Sequence, residues 1–290
     1  MMMVRLPVSL AAALLLSAVV TTASAESGAL SVCAGQDGGS YQRIAAKADA
    51  FWPDDTQGLT AIETKGSIDS LSKLAEGRCE AALVHGDALF FKRMMAGPGE
   101  FDIVAPVHLF DELIHFICRR DAGVAHLMDL LRDPEAINVL VGLPESTSNV
   151  TWKNLKELDR RIAAVSTEPI GGAPALTALL TDDQKNCLLH VAGLGAEEIA
   201  RIDAEGADLR LVPLDIWYLN AAEEMASNVY MTTRIPAGIY GNLQRDLGQP
   251  EVETVAVGTF LVARKDWARS NPGAYQALRA AIKAAAAQAS

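Results

Sequence analysis

The chain has 290 residues, with 25 basic and 36 acidic side chains and a formal charge of −11 at pH 7. An acidic surface of that size repels nucleic acid and anionic lipid, so neither is expected as a partner, and it favours a soluble monomer. The four cysteines stand at wide spacings that match no zinc pattern.

The N-terminus has the form of a secretory signal. Arg5 is the only charge in the first 25 residues, Val8 to Val20 is apolar except for Ser9 and Ser17, and Ala23-Ser24-Ala25 is an A-x-A cleavage site. The apolar run, about 13 residues, is too short to span a bilayer comfortably. Residues 1–25 are therefore expected to be a signal peptide, removed to leave a periplasmic chain starting at Glu26. The remaining 265 residues, with 24 basic and 36 acidic side chains, suffice for two lobes with their own cores. An oxidising compartment permits disulfides among Cys33, Cys79, Cys118 and Cys187, and all three connectivities stay open. Val32 is too large for the position before a lipidated cysteine, so Cys33 is not expected to carry lipid.

Leu30–Ala34, Leu59–Glu63 and Ala81–Val84 read as strands, each followed by a helical stretch: Tyr41 to Trp52, Ser67 to Glu76, and one ending at Met95. Gly77 is placed to stop the second helix. This βαβαβ order predicts a parallel sheet with right-handed crossovers. Ile103–Pro106 and Leu113–Cys118 follow as strands. A new α/β unit then runs through a strand at Asn138–Gly142, a helix from Thr151 to Ile162 and a short helix from Gly171 to Leu180. It continues with a strand at Cys187–Val191, Gly193-Leu194-Gly195 opening a helix to Ile202, and a strand at Leu209–Pro213. Val252 to Ala263 is a long β-rich run closed by Arg264-Lys265-Asp266, much as Leu113–Cys118 closes on Arg119-Arg120-Asp121. Two such strands suit paired hinge segments. The expected fold is α/β with two lobes, lobe one being 26–117 plus 261–290 and lobe two 118–260. A helix from Gly273 to Ala287 ends the chain.

Three junctions run from an apolar strand through a Gly, Ser or Thr turn into a helix: Gly38-Gly39-Ser40-Tyr41, Thr64-Lys65-Gly66-Ser67 and Glu145-Ser146-Thr147-Ser148. Helix starts present free backbone N–H groups and a positive end, which suits an anionic ligand group. In an α/β sheet such junctions lie at the carboxyl edge of the strands, where clefts form. Gly38, Gly39, Ser40, Tyr41, Thr64, Lys65, Gly66, Ser67, Ser146, Thr147 and Ser148 are therefore candidate ligand contacts. His85 and Asp87 join them because they follow a strand onto the same edge. Lys65 is the one charged donor within the three turns, and His85 could add pH dependence. The serines and glycines serve equally as helix caps and tight turns. No G-x-S-x-G, H-E-x-x-H or P-loop occurs, so no catalytic residue, metal or cofactor is expected.

The same segments carry a resemblance. Gly35 to Tyr41 is similar to a G-G-T/S-Y loop, Thr64 to Ser67 to a T-x-G-S turn, and Ala82 to Asp87 to an A-x-V-Q-x-D segment. Val139 to Ser148 matches V-x-V-G-x-P-x-S-G-T in part, and Ile235-Pro236-Ala237-Gly238-Ile239-Tyr240 matches I-P-A-G-x-Y. In order and spacing the chain resembles the TAXI solute receptors of TRAP (tripartite ATP-independent periplasmic) transporters. The resemblance implies a type II-like Venus-flytrap fold, a small carboxylate ligand such as an amino acid or oxo-acid, and a sodium-coupled TRAP permease as partner. Ser70 stands where the family carries Asn, His85 where it carries Gln, and Ser146-Thr147-Ser148 lacks the usual Gly. The alternatives are a receptor serving an ABC importer or a sensor kinase, and an exported hydrolase using Ser146 with a histidine.

Overall fold

Strands that are apolar throughout end up covered on both faces, and here they do so in two groups joined by a pair of long strands. The computed structural model describes residues 29–53, 58–97, 101–181, 185–206, 208–214, 229–245 and 251–288. The proposed signal peptide lies outside them. No helix among the described residues is long and apolar enough to cross a membrane.

In the first lobe β1 (Leu30–Cys33) leads to α1 (Ser40–Ala48), β2 (Leu59–Ile62) to α2 (Ser67–Ala75), and β3 (Ala81–His85) to α3 (Gly86–Met95). β1 lies between β2 and β3 and is parallel to both, as the alternating pattern predicts. The second lobe holds β5 (Ile137–Leu140), α4 (Thr147–Leu158), β6 (Ser166–Glu168), α5 (Gly172–Thr181), β7 (Lys185–Ala192), α6 (Glu197–Glu205), β8 (Leu209–Leu211) and β9 (Tyr230–Ile235). Two antiparallel strands, β4 (Val107–Arg119) and β10 (Val252–Ala263), run through both lobes. The helices α7 (Lys265–Ser270) and α8 (Pro272–Ala286) return to the first lobe, where α8 packs on α1.

The sheet order is β2-β1-β3-β10-β4-β7-β5-β6, with β8 on β4 and β9 on β10. Each long strand changes neighbours midway. β10 pairs with β9 over Val252–Val257 and with β3 over Thr259–Ala263. β4 pairs with β10 over Val107–Leu113, then with β7 and β8 over Leu113–Arg119. The β4–β10 register shifts between Thr259 and Phe260, an irregularity of the kind that bends a strand. The cores change at the same level. Leu109, Phe110 and Leu261 pack with Val32, Ile44 and Leu278, whereas Ile114, Phe116 and Val257 pack with Val139, Trp152 and Leu189. The helices α3 and α4 form a third joint: Val150 belongs to a first-lobe core and Phe90 packs on a second-lobe one.

Three sequence expectations change. Ile103–Pro106 is not a strand, and Ile103 makes only an isolated bridge to Arg264. Leu113–Cys118 is the second half of a 13-residue strand. Its first half, Val-His-Leu-Phe-Asp-Glu, carries neither an apolar run nor a clean alternation, because His108, Asp111 and Glu112 interrupt it. The helix expected from Thr151 begins at Thr147, because Ser146 Oγ accepts the Asn149 N–H at 3.4 Å and caps it.

All four cysteines are bonded, Cys33 to Cys79 and Cys118 to Cys187. One bridge lies in each lobe. The sequence separations of 46 and 69 residues imply about 4 kcal/mol of stabilisation each if the bridges act on unfolded-chain entropy.

Candidate functional site

A cavity of about 660 Å³ opens between the lobes, backed by Phe110 to Leu113 of β4. The first-lobe wall includes Gly39, Ser40, Tyr41, Lys65, Gly66 and Ser67. The second-lobe wall includes Ser146, Thr147 and Ser148. The starts of α1, α2 and α4 thus meet at one space. A fourth helix start, α6, joins them through Gly193 to Glu198, and it was not among the nominated residues. Its strand–glycine–helix form was legible. Its first turn carries Glu197 and Glu198, which offset the positive helix end from within the chain. Arg43, Glu112 and His190 also line the cavity and were not nominated.

Within this wall the hydroxyls divide into two groups. Ser67 Oγ accepts the His85 amide at 2.9 Å, and Ser148 Oγ accepts the Val191 amide at 3.0 Å. Both are buried and tie a helix start to the adjoining strand end. Thr64, expected at the ligand, accepts the Gly35 amide at 3.0 Å and bonds Ser70 Oγ at 2.7 Å, away from the cavity lining. Gly38 also lies off the lining. It holds the positive φ of the turn, 71°, and its carbonyl accepts from Arg43. Ser40 Oγ, Thr147 Oγ1 and Lys65 Nζ make no hydrogen bond or ion pair to the rest of the described residues, so they are the groups available to a ligand.

His85 and Asp87 do not line the cavity. Both are fully buried. They belong to a polar chain running from the α3–α4 joint to the cavity wall. Asp87 accepts from Thr151 Oγ1 at 2.7 Å, Tyr230 Oη at 3.0 Å and the Ala88 amide at 2.6 Å, and its Oδ1 is 3.0 Å from His85 Nδ1. His85 Nε2 lies 3.4 Å from Glu112 Oε2, which accepts the Tyr41 hydroxyl at 2.9 Å. Tyr41 Oη also lies 3.1 Å from Thr259 Oγ1. Burial would lower the His85 pKa, but the Asp87 carboxylate and then Glu112 outweigh it and raise it above 6.5. Burial would raise the Asp87 pKa, but His85 and the two hydroxyl donors hold it below the usual range. For Glu112 burial prevails and the pKa rises, with His85 and Tyr41 opposing.

A second chain serves the other wall. The Gly195 amide donates to Tyr240 Oη at 2.9 Å, Tyr240 Oη is 2.9 Å from His115 Nε2, and His115 Nδ1 is 3.1 Å from the Leu113 carbonyl. A carbonyl can only accept, so Nδ1 carries the hydrogen and Nε2 accepts the tyrosyl hydrogen. Burial first, and then the nearby His190, push His115 down to about 3. Tyr240 closes the Ile-Pro-Ala-Gly-Ile-Tyr segment, so that motif braces the Gly193–Ala196 turn of the cavity.

The lobes touch at Gly66. Its φ is 151°, and a methyl group added there would sit 2.0 Å from the Glu145 carbonyl oxygen. Glu145 itself has φ 70°, a strained conformation for a residue with a side chain, held where the two walls meet.

Solved structures of similar fold include proteins described as binding small solutes. The periplasmic aliphatic sulphonate binding protein SsuA of Escherichia coli is 14% identical and matches 90% of this chain and 73% of its own, with a TM-score of 0.50. Lactococcal OpuAC, in a closed conformation with glycine betaine, is 9% identical and matches 90% and 94%, with a TM-score of 0.51. A protein from Bordetella bronchiseptica RB50 is 15% identical and matches 90% and 71%, with a TM-score of 0.55. At such identities the likeness establishes the fold, that of two-lobed periplasmic solute-binding proteins. No curated protein sequence matches the chain. The NMT1-like family model matches residues 32–279, almost the whole described region, and the chain belongs to the NMT1-like family.

Proposed function

We propose that the chain is a periplasmic receptor that captures a small organic anion, an amino acid or oxo-acid carboxylate, and delivers it to a TRAP-type sodium-coupled permease. One observation carries the first part: helix starts from both lobes meet at one cavity, with Ser40, Lys65 and Thr147 unengaged around it. A carboxylate there would receive backbone N–H groups from α1, α2 and α4 and the charge of Lys65, and so would favour the closed state over the open one. The lobes divide where β4 and β10 change cores, near 112–113 and 257–258, a few residues before the boundary expected from sequence. The permease assignment rests on the TAXI-like segments. An ABC importer or a sensor kinase would read the same closure.

Calorimetry with acetate, L-glutamate, 2-oxoglutarate, ethanesulfonate and phosphate tests the ligand class. One-to-one binding of a carboxylate, on the order of micromolar, is expected. Thr147→Ala should weaken it about tenfold to a hundredfold, the value of a hydrogen bond to a charged group. Gly66→Ala should hold the lobes apart, so that scattering shows no compaction with that ligand. Preference for sulfonate or phosphate over every carboxylate sinks the ligand assignment. Vesicle uptake driven by a sodium gradient rather than by ATP tests the permease.

A further inference from the structure

Asp87 is held as a carboxylate. Its Oδ1 takes the Ala88 amide and His85 Nδ1, and its Oδ2 takes the Thr151 and Tyr230 hydroxyls. Four donors on two oxygens favour the ionised form against burial. His85 Nδ1 must therefore carry a hydrogen, and the charge of the ring turns on Nε2. That atom is buried without a well-formed hydrogen bond, 3.4 Å from Glu112 Oε2. A proton on Nε2 makes the ring a cation beside two carboxylates. A second, on Glu112, would bring the three-residue cluster from one net negative charge to none. Of the three, only Glu112 reaches the cavity wall, where it holds the hydroxyl of Tyr41, the residue after Ser40.

We propose that Glu112 is the charge selector of the cavity: an anion seated at the α1 turn requires a proton on Glu112, so anion capture takes up a proton. The sign of the ligand charge rests on the carboxylate reading above; the ionisation of the cluster does not. The acidic side chains around the cavity act in the same direction, and its cations act against it. Asp111 precedes Glu112 on β4, and Glu197 and Glu198 stand across the cleft with His190. Burial lowers the His190 pKa against the pull of Glu198, so that ring adds little positive charge near neutral pH. Arg43, within α1, and Lys65, on the turn before α2, are the cations of the wall. Tyr41 faces Glu112 as a neutral donor, since burial and then Glu112 raise its pKa well above 10.0. His85 is a positioning residue here. Its charge lowers the pH at which Glu112 gives up its proton, and Asp87 keeps that charge in place.

The test is calorimetry with acetate, L-glutamate and 2-oxoglutarate in buffers of different ionisation enthalpy, from pH 5 to 9. The wild type should take up close to one proton per ligand over part of that range. Its Kd should weaken by up to tenfold per pH unit there, as linkage requires. Glu112→Gln should bind with that dependence gone. His85→Gln should move the fall in affinity to higher pH, a change that loss of packing alone would not produce, and it serves if Glu112→Gln fails to fold. Binding without proton uptake, or an unaltered pH profile in Glu112→Gln, overturns the proposal. If none of the three acids binds, the carboxylate reading fails by itself, and carboxyl-carbon NMR of the ligand-free protein decides the rest. Glu112 titrating above 4.5 and higher still in His85→Gln supports the selector; titration at or below that value overturns it.

Discussion

Two buried histidines stand on either side of the level where β4 passes from one lobe to the other, and burial has opposite outcomes for them. His85 faces two carboxylates, and its pKa is raised. His115 faces a carbonyl and a tyrosyl hydroxyl, and its pKa falls to about 3. Desolvation penalises the cation in both cases, so the neighbours decide. The first lobe therefore backs the cavity with groups that can exchange a proton, and the second with a fixed, neutral brace. That division fits a receptor in which one wall senses charge and the other holds a turn.

The strongest way to break the contrast is Asp87→Asn. It removes the carboxylate that keeps His85 charged and turns an acceptor of four donors into a group that must itself donate. Breaking a buried pair from one side costs about 3–5 kcal/mol, and urea denaturation should show a loss of that order. Nitrogen NMR should find His85 titrating below 6.5 in the variant. A histidine still charged at pH 7 would mean that Glu112, not Asp87, sets its state.

Much of this arrangement was legible, His85 and Asp87 included, but Glu112 was not. β3 reads Ala-Ala-Leu-Val before its histidine and is buried throughout, so a run of apolar residues sufficed. Gly66-Ser67 and Ser146-Thr147 announce helix starts through local backbone chemistry. A hydroxyl at a helix start looks the same in sequence whether it meets a ligand, caps the helix as Ser146 does, or ties in a strand as Ser67 and Ser148 do. Glu112 was hidden for a different reason. Its partners Tyr41 and His85 are distant in sequence, and it fell between the expected strands Ile103–Pro106 and Leu113–Cys118. The cysteine pairing was closed to sequence for the same reason, because Cys118 meets Cys187 only once β4 and β7 pair.

Acid titration sharpens the contrast with a smaller effect. A histidine whose folded pKa is raised, like His85, adds stability that is complete below 6.5 and is lost as the pH climbs through the folded value. His115 behaves in the opposite sense. Below 6.5 the unfolded chain binds a proton that the folded chain refuses until about pH 3, so stability falls as the pH drops through that window. The slope is up to about 1.4 kcal/mol per pH unit, or about 2 kcal/mol between pH 6.5 and 5. His115→Gln should be less stable at pH 7, yet lose about 2 kcal/mol less than wild type on moving to pH 5. Equal losses in the two proteins would show that His115 is protonated in the folded state.

The smallest expected change is Tyr240→Phe, which tests the neutral brace without touching either histidine. The ring stays to fill its buried site, so the cavity term is slight. The hydroxyl alone is lost, leaving His115 Nε2 without a donor and the Gly195 amide without an acceptor. Gly195 lies on the cavity, where water can replace the acceptor, whereas His115 Nε2 is buried and stays unpaired. One unsatisfied buried acceptor costs about 1–3 kcal/mol, and the lower end applies because the neutral imidazole carries no charge. Hydrogen exchange at Gly195 should speed up while exchange in β3 stays as in wild type. The His85 titration should also stay in place, since no hydrogen bond joins the two chains among the described residues. A shift of His85 in Tyr240→Phe would mean that the two walls are coupled through β4, and that the charge-sensing and bracing roles are not separate.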